Sequence, residues 1–381
     1  ERSKSLLHEK VLITILELKQ MMRRRLYTCA FSIFSLMFLA RPTLGFTLHR
    51  ALRTTSTCSS ISRSFSKTSA SSLLPLRMTS EGENTSTVTD AQVVKDMLYR
   101  IKQCNNMPES AKTAMMDFSI DSQTVGKVTE KVAGLLCQSH TGMEPVFEII
   151  TTESQSRVLT LSKSARFTKE SRTNSVKGVM DNLRSSGIIT GWRDELYGLS
   201  SGFYEEPILL IERAAASFLG MLHYGVHING IVSTEGRMWM ARRSETKSKY
   251  PGYLDQMVAG GQPAGLSLME NVVKECMEEA GIPNDMTEKG IKAVGAISYE
   301  EFVPSDHQLI DGVIERVVLF NYDLDLPADF NPVPVDGEVQ YFFKWSVEDI
   351  VNSMAKDYHD PIKPNCYICI IDYLLRNGVI S

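Results

Sequence analysis

Between Gly260 and Ile282 the chain reads "GGQPAGLSLMENVVKECMEEAGI", which places Glu275, Glu278 and Glu279 on a single turn next to a glycine-rich loop. Like charges at i, i+3 and i, i+4 on a helix face repel by a few tenths of a kcal/mol per pair. A divalent cation is the natural compensation. The stretch from Asn271 to Ala280 is helix-compatible, with Pro263 and Gly265 before it and Gly281 and Pro283 after it. Val272, Val273, Cys276 and Ala280 form an apolar face for burial against a sheet, and the three glutamates occupy another side. Carboxylate oxygens on a rigid element suit Mg²⁺ or Mn²⁺, which bind through carboxylates, substrate phosphates and water. The loop "AGGQPAG" lets bare backbone approach an anion. Metal and phosphate together imply pyrophosphate chemistry.

Charge narrows the partners. Residues 1–77 carry thirteen Lys/Arg and three acids, so of the 41 basic and 45 acidic residues the remainder holds 28 and 42. A body this acidic argues against nucleic acid, whose affinity rests on Lys/Arg neutralisation of phosphates. The seven cysteines are scattered, and an odd five lie beyond residue 77, which fits a reducing compartment better than a disulfide framework. Cys366-x-x-Cys369 sits in the apolar run "NCYICIIDYLL" without a second ligand pair and is expected to pack in a core.

The N-terminal stretch reads as an address. Met21-Met22 precede Arg23-Arg24-Arg25, the apolar run "LYTCAFSIFSLMFLA" and the small residues Thr43 and Gly45, which is signal-peptide order. The run is short of the ~20 residues of a membrane span. "FTLHRALRTTSTCSSISRSFSKTSASSLLPLRM" is rich in Ser, Thr and Arg and free of acids, which is transit-peptide composition. The pair resembles the bipartite plastid address of algae with complex plastids, with a mitochondrial destination as the alternative. No membrane association is expected after processing.

The expected organisation is an upstream segment and signal peptide over 1–45, a transit-like segment over 46–78, a linker over 79–91, an α/β domain over 92–217 and a second domain over 218–381. "AQVVKDMLYRIKQC" has helical periodicity and is expected to open the first of these domains. "GWRDELYGLS" concentrates Trp192, Arg193, Glu195 and Tyr197, either a structural corner or a substrate-holding cluster. "VHINGIVS" and "RMWMARRS" flank "TEGR" as a hairpin. His223 and His227 have the spacing of helical zinc ligands, but Gly225 and the pattern after it favour a strand or loop. Strand, helix, several strands and a terminal helix suggest a mixed α/β/α sandwich.

The segment from Gly260 resembles the Nudix box, G-x5-E-x7-R-E-U-x-E-E-x-G-U, at Gly260, Glu275, Glu278, Glu279, Gly281 and Ile282. Leu266 replaces the first Glu and Lys274 replaces Arg. "GVHINGIV", "WMARRSETKSKYPGYLDQMVAGGQPAG", "PVDGEVQYFF" and "IKPNCYICIIDYLLRNG" narrow the resemblance to the thiamin pyrophosphokinase-related Nudix proteins, in which an α/β domain with a "WRDELY"-like motif precedes the Nudix sandwich. The resemblance implies a phosphoanhydride hydrolase acting on a small-molecule diphosphate, thiamin diphosphate or its oxidised derivatives, to give the monophosphate and phosphate. It implies Mg²⁺ or Mn²⁺ on Glu275, Glu278, Glu279 and the Gly260 carbonyl. Lys274 would orient a glutamate, which Lys does only in part where Arg is usual. Glu338 in "VDGEV" is the candidate further ligand or base, and Gly260, Gly261, Arg243, Lys247, Tyr250 and Trp192 the candidate substrate-binding residues. "RRSETKSKYPGYLD" also resembles isopentenyl-diphosphate isomerase, against which the intact glutamate set argues; a non-catalytic diphosphate-binding module is the remaining rival. Deleting residues 1–78 is expected to leave turnover intact, because the segment lacks core periodicity; an insoluble or inactive product counts against the address.

Overall fold

The computed structural model describes residues 90–138, 144–165, 167–305 and 307–379; the signal, transit and most of the linker assignments lie outside the described residues. Helix α1 (Asp90–Cys104) opens them, followed by α2 (Glu109–Ala114) and a four-stranded sheet in the order β2-β1-β4-β3, built from β1 (Met116–Ile120), β2 (Gln123–Val128), β3 (Phe147–Thr151) and β4 (Arg157–Leu161). Helices α3 (Glu130–Leu136) and α4 (Lys169–Ser185) and the hairpin β5 (Leu196–Leu199)–β6 (Leu209–Glu212) complete the first domain. Phe118, Phe147, Leu159, Val176 and Met180 fill its core, which Tyr197, Leu209 and Phe218 extend towards the second domain.

The second domain is a mixed sheet of seven strands: β7 (Leu222–Val232), β8 (Arg237–Arg243), β9 (Leu254–Gln256), β10 (Val258–Gly261), β11 (Ile291–Pro304), β12 (Gly312–Asp325) and β13 (Val339–Ser346). The main path runs β11-β12-β7-β8-β13, with β10 paired to β7 and β9 to β8. Strand alternation serves two cores. On β8, Trp239 joins Val226, Ile228 and Val258 beneath helix α5 (Leu268–Ala280), while Met238 and Met240 face the other way. After α6 (Asn284–Gly290) and α7 (Val347–Asn352), helix α8 (Pro364–Arg376) covers that second face through Tyr367, Ile370 and Leu374. The expected α/β/α sandwich with a preceding α/β domain is thus present, and His223 and His227 both lie in strand β7. Cys366 and Cys369 are buried in α8, as core residues.

One element departs from expectation. Helix α1 has the predicted helical character but does not open the first domain's core. Val93 and Met97 pack with Met238, Tyr367 and Ile371 of the second domain. The Arg100 guanidinium ties it there, donating from Nε to the Met354 carbonyl at 3.0 Å and from Nη2 to the Ser353 carbonyl at 3.2 Å. Periodicity shows which helix face is apolar but not which partner covers it.

The two domains meet where η-type turn residues Arg213–Leu219 lead into β7. Gly220 adopts φ +52°, and a Cβ there would overlap the Lys127 carbonyl of β2. Gly220→Ala is therefore expected to lower stability by about 2 kcal/mol or more, through left-handed strain and a backbone clash. The shift in Tm should be several degrees, at roughly 2–4 °C per kcal/mol for a domain of this size; an unchanged thermal melt would contradict the packing.

Candidate active site

Helix α5 is delimited by its own sequence. The Ser267 hydroxyl accepts from the Glu270 N–H at 3.3 Å, and the Glu270 carboxylate accepts from the Ser267 N–H at 2.8 Å, a reciprocal N-terminal cap. Gly281 ends the helix at φ +63°. Val272, Cys276 and Ala280 are fully buried, and Val273, expected on the same face, stays half-buried. That packing fixes the rotation of the helix and aims Glu275 and Glu279 back at strand β10. The preceding loop is also anchored: the buried Asn271 amide donates to the Gly261 carbonyl at 2.8 Å, and the Gln262 amide donates to the Leu266 carbonyl at 2.8 Å. Leu266 thus contributes backbone, not a carboxylate, to the loop.

The two glycines of β10 serve different neighbours. A Cβ at Gly260 would overlap the Glu275 carboxyl, and a Cβ at Gly261 would overlap the Tyr197 hydroxyl from the first domain. Successive strand positions face opposite sides, so the bare backbone admits a carboxylate on one side and a phenol on the other. The Ala264 N–H donates to the Leu196 carbonyl at 2.8 Å and closes the same junction.

The carboxylates differ in environment. Glu275 and Glu279 are buried, whereas Glu278 is half-exposed, with 51% of its side chain accessible. Burial, and after it the Glu275 charge, pushes the Glu279 carboxyl up to about 8, although the Ala259 N–H donates to it at 2.9 Å. Burial also raises Glu275, opposed by Lys274. The Lys274 ammonium sits 3.1 Å from Glu275 and 2.7 Å from Glu278, so it orients two glutamates at once. Among the described residues, no three His, Cys, Asp or Glu side chains converge as a preformed metal set. Glu278 is drawn towards Lys274 instead.

Glu338 precedes β13; its carbonyl accepts from the Ser244 N–H at 2.8 Å, and its carboxylate is paired with Lys247 and lies 3.6 Å from Arg193 of the first domain. Burial raises its pKa, but Lys247 and then Arg193 hold it below the usual carboxylate range. Its charge is felt at Glu279. Arg243 is placed differently. Its buried guanidinium pairs with Asp255 and donates to the Tyr250 and Lys249 carbonyls, each at 3.0 Å, so it shapes the loop that carries Lys247 and Tyr250. Tyr250 lies against Tyr253, with ring centroids 5.3 Å apart and the planes tilted by 59°. Trp192 packs into the first domain, its indole N–H donating to the Ile189 carbonyl at 3.1 Å beneath Arg184. Within "GWRDELYGLS", Arg193 and Tyr197 reach the junction with the second domain. The sequence marked the cluster; the choice among its members required the alternation of β5.

Residues 221–366 match the NUDIX domain family, and residues 96–223 match a family described as Domain of unknown function (DUF4743). A solved MutT protein from Methanosarcina mazei Go1 is similar at 16% identity and a TM-score of 0.31, covering 41% of this chain and 96% of that one. "Nudix hydrolase 24, chloroplastic" of Arabidopsis thaliana is 44% identical over 214 residues, which are 55% of this chain and 56% of that protein, so the match spans about half of its length. "Nudix hydrolase 20, chloroplastic" of the same plant is 38% identical over 287 residues, 74% of this chain and 72% of that protein. The chain belongs to the Nudix family.

Nudix proteins generally use divalent cations, and the residues here suit one. Glu275 and Glu279 form a buried carboxylate pair whose joint ionisation is disfavoured by burial and mutual repulsion. Hard oxygen donors of this kind match Mg²⁺ or Mn²⁺ in type. The close fit of Glu275 over Gly260 gives a test. Gly260→Ala is expected to displace the Glu275 carboxyl and cut turnover of a diphosphate by about 10²-fold, the scale of a 1 Å misplacement. Activity within about twofold of the unchanged chain, less than 1 kcal/mol, would show that Glu275 is not needed where it stands.

Proposed function

We propose that this Nudix protein is a metal-dependent pyrophosphohydrolase that cleaves the phosphoanhydride of a small organic diphosphate. The observation that carries the reading is the buried Glu275–Glu279 pair, held by Lys274 and the Ala259 N–H against glycine-only backbone. Burying two carboxylates side by side is expensive for the fold unless a cation joins them, which makes a purely structural role a poor account of them. Mg²⁺ or Mn²⁺, bound by Glu275 and Glu279 with Glu278 and the Gly260 carbonyl as further donors, would neutralise the diphosphate and acidify water.

The remaining roles belong to side chains. Glu338, kept ionised by its cationic neighbours, is the proton acceptor for the attacking water. Lys247, already beside Glu338, holds a phosphate oxygen. Lys274 keeps Glu275 in place through the reaction. Tyr250 and Tyr253 offer ring faces for the organic moiety, and Arg243 supports them from beneath. Gly261 and Trp192 support the site indirectly, through Tyr197 and the first domain's core.

Within the diphosphates we place thiamin diphosphate and its oxidised derivatives first, on the strength of the subfamily motifs, "WRDELY" among them. The thiazolium of thiamin suits an acidic body and aromatic faces, a contact of about 0.5–2 kcal/mol. Thiamin monophosphate and inorganic phosphate are the expected products. The names of both plant relatives include "chloroplastic", which supports a plastid destination for this chain.

The test compares kcat/KM for thiamin diphosphate, its oxidised forms, ADP-ribose and NADH in Mg²⁺ and in Mn²⁺. A preference for ADP-ribose or NADH of more than about tenfold, or about 1.4 kcal/mol at the transition state, would end the thiamin assignment and leave the hydrolase standing. Turnover without phosphate release would favour the isomerase rival. In the same assay Glu279→Gln is expected to lose about 10²-fold or more, and near-normal rates in that variant would remove the carboxylate mechanism.

A further inference from the structure

Arg193 belongs to the first domain, yet its guanidinium points at a carboxylate of the second. Its backbone is fixed. The Arg193 N–H donates to the buried Glu212 carboxylate at 3.0 Å. Gly191 at φ +74° and Asp194 at φ +58° bracket it with left-handed backbone. A non-glycine residue in that region carries strain of order 1 kcal/mol, which persists where the surroundings enforce it. The neighbouring hairpin is braced too: Arg213 pairs with Glu195 at 2.6 Å and lies over the Tyr197 ring at 5.6 Å, and Tyr197 abuts Gly261.

The side chain is held far less firmly than its backbone. It is 37% exposed, and its ion pair with Glu338 spans 3.6 Å, beyond the 2.7–2.9 Å of a charge-assisted hydrogen bond. Glu338 already has Lys247 as a close partner. Arg193 therefore brings a guanidinium to the cleft without completing a bond there.

Charge balance gives that guanidinium a purpose. Glu275, Glu279, Glu338 and Glu195 crowd the cleft, and Glu195 and Glu338 are felt at Glu275 and Glu279 respectively. Of the nearby lysines, Lys274 is committed between Glu275 and Glu278. A diphosphate entering this field needs cationic donors on the side away from the metal-binding glutamates. A guanidinium fork matches two phosphate oxygens at once, which an ammonium does not.

We propose that the first domain completes the diphosphate site: Arg193 forms a bidentate contact with the substrate's terminal phosphate, with Lys247 beside it. Arrival of the phosphate draws both cations from Glu338 and frees that carboxylate for the attacking water. Arg213, Glu195 and Tyr197 are positioning residues that hold the Arg193 turn against Gly261. The proposal rests on the hydrolase reading for the identity of the anion.

The test uses the full chain and methylenediphosphonate, which presents two phosphonates but no cleavable anhydride, titrated calorimetrically in Mg²⁺. Arg193→Gln, which removes the charge and shortens the side chain, is expected to weaken binding about tenfold or more, and Arg193→Lys, which restores charge and most of the reach, to recover part of the loss. The loss should persist in a Glu338→Gln background and appear in turnover mainly as a raised KM. Binding that is unchanged in Arg193→Gln, or a loss that vanishes with Glu338→Gln, would overturn the proposal and leave Arg193 as a partner of Glu338 alone. Hydrolysis of the substrate panel by the unchanged chain is scored separately. Arg193-dependent binding without any hydrolysis sinks the hydrolase reading but not the anion site, and hydrolysis with Arg193-independent binding does the reverse.

Discussion

Two carboxylates buried beside each other dictate much of this molecule. Glu275 and Glu279 stand on a helix whose other face, Val272, Cys276 and Ala280, is sealed into an apolar core. Burying Val272 alone contributes roughly 1.5–3 kcal/mol, which outweighs the few tenths lost per repelling pair on the helix. The desolvation of the carboxylates is the larger opposing term. It is offset only in part by the Lys274 ammonium and the Ala259 N–H, and the Glu279 carboxyl stays raised to about 8. The helix caps then prevent the element from slipping in register, because Ser267 and Gly281 fix both ends.

That arrangement needs a strand without side chains, and the strand in turn accommodates the neighbouring domain. Gly260 leaves room for Glu275 and Gly261 for Tyr197. The glycine pair thus serves the carboxylate pair and the domain junction at once. The first domain docks at the cleft through Tyr197, through the Leu196–Ala264 backbone bond, and through the Thr129 hydroxyl, which donates to Asp311 at 2.9 Å. Ile310 contributes to the first domain's core although it lies in the second domain's sequence. The two families matched along the chain therefore describe one packed body over the described residues, not two beads on a string.

Much of this was legible before any coordinates. Helix α5 announced itself by Pro and Gly at both ends and by a regular apolar face, and the hairpin around "TEGR" was equally clear. Gly225 and the pattern after it argued against a helix at His223 and His227, and left strand or loop open; the structure places both in β7. What could not be read were relations across long sequence distances. Helix α1 showed its face but not its partner. Arg243 was a candidate substrate-binding residue, yet its pairing with Asp255 turns its guanidinium inward. Gly261 looked like phosphate-approaching backbone, since nothing local reveals that a tyrosine some sixty residues earlier fills its space. Leu266 and Lys274 marked departures from the family box correctly, and the structure shows that backbone and a two-glutamate bridge stand in their places.

The docking of α1 on α8 has a temporal side. Synthesis runs from the N-terminus, so α1 leaves the ribosome some 260 residues before the helix that covers it. At roughly 5–20 residues per second the wait is about 15–50 s. Until then the apolar faces of α1 and of Met238 and Met240 on β8 lack Tyr367, Ile370 and Leu374, their partners on α8. The sheet can assemble and α5 can settle, but only α8 closes this seam, by capturing α1. Until α8 emerges, a nascent chain carries an open apolar seam where α1 and β8 await their shared cover.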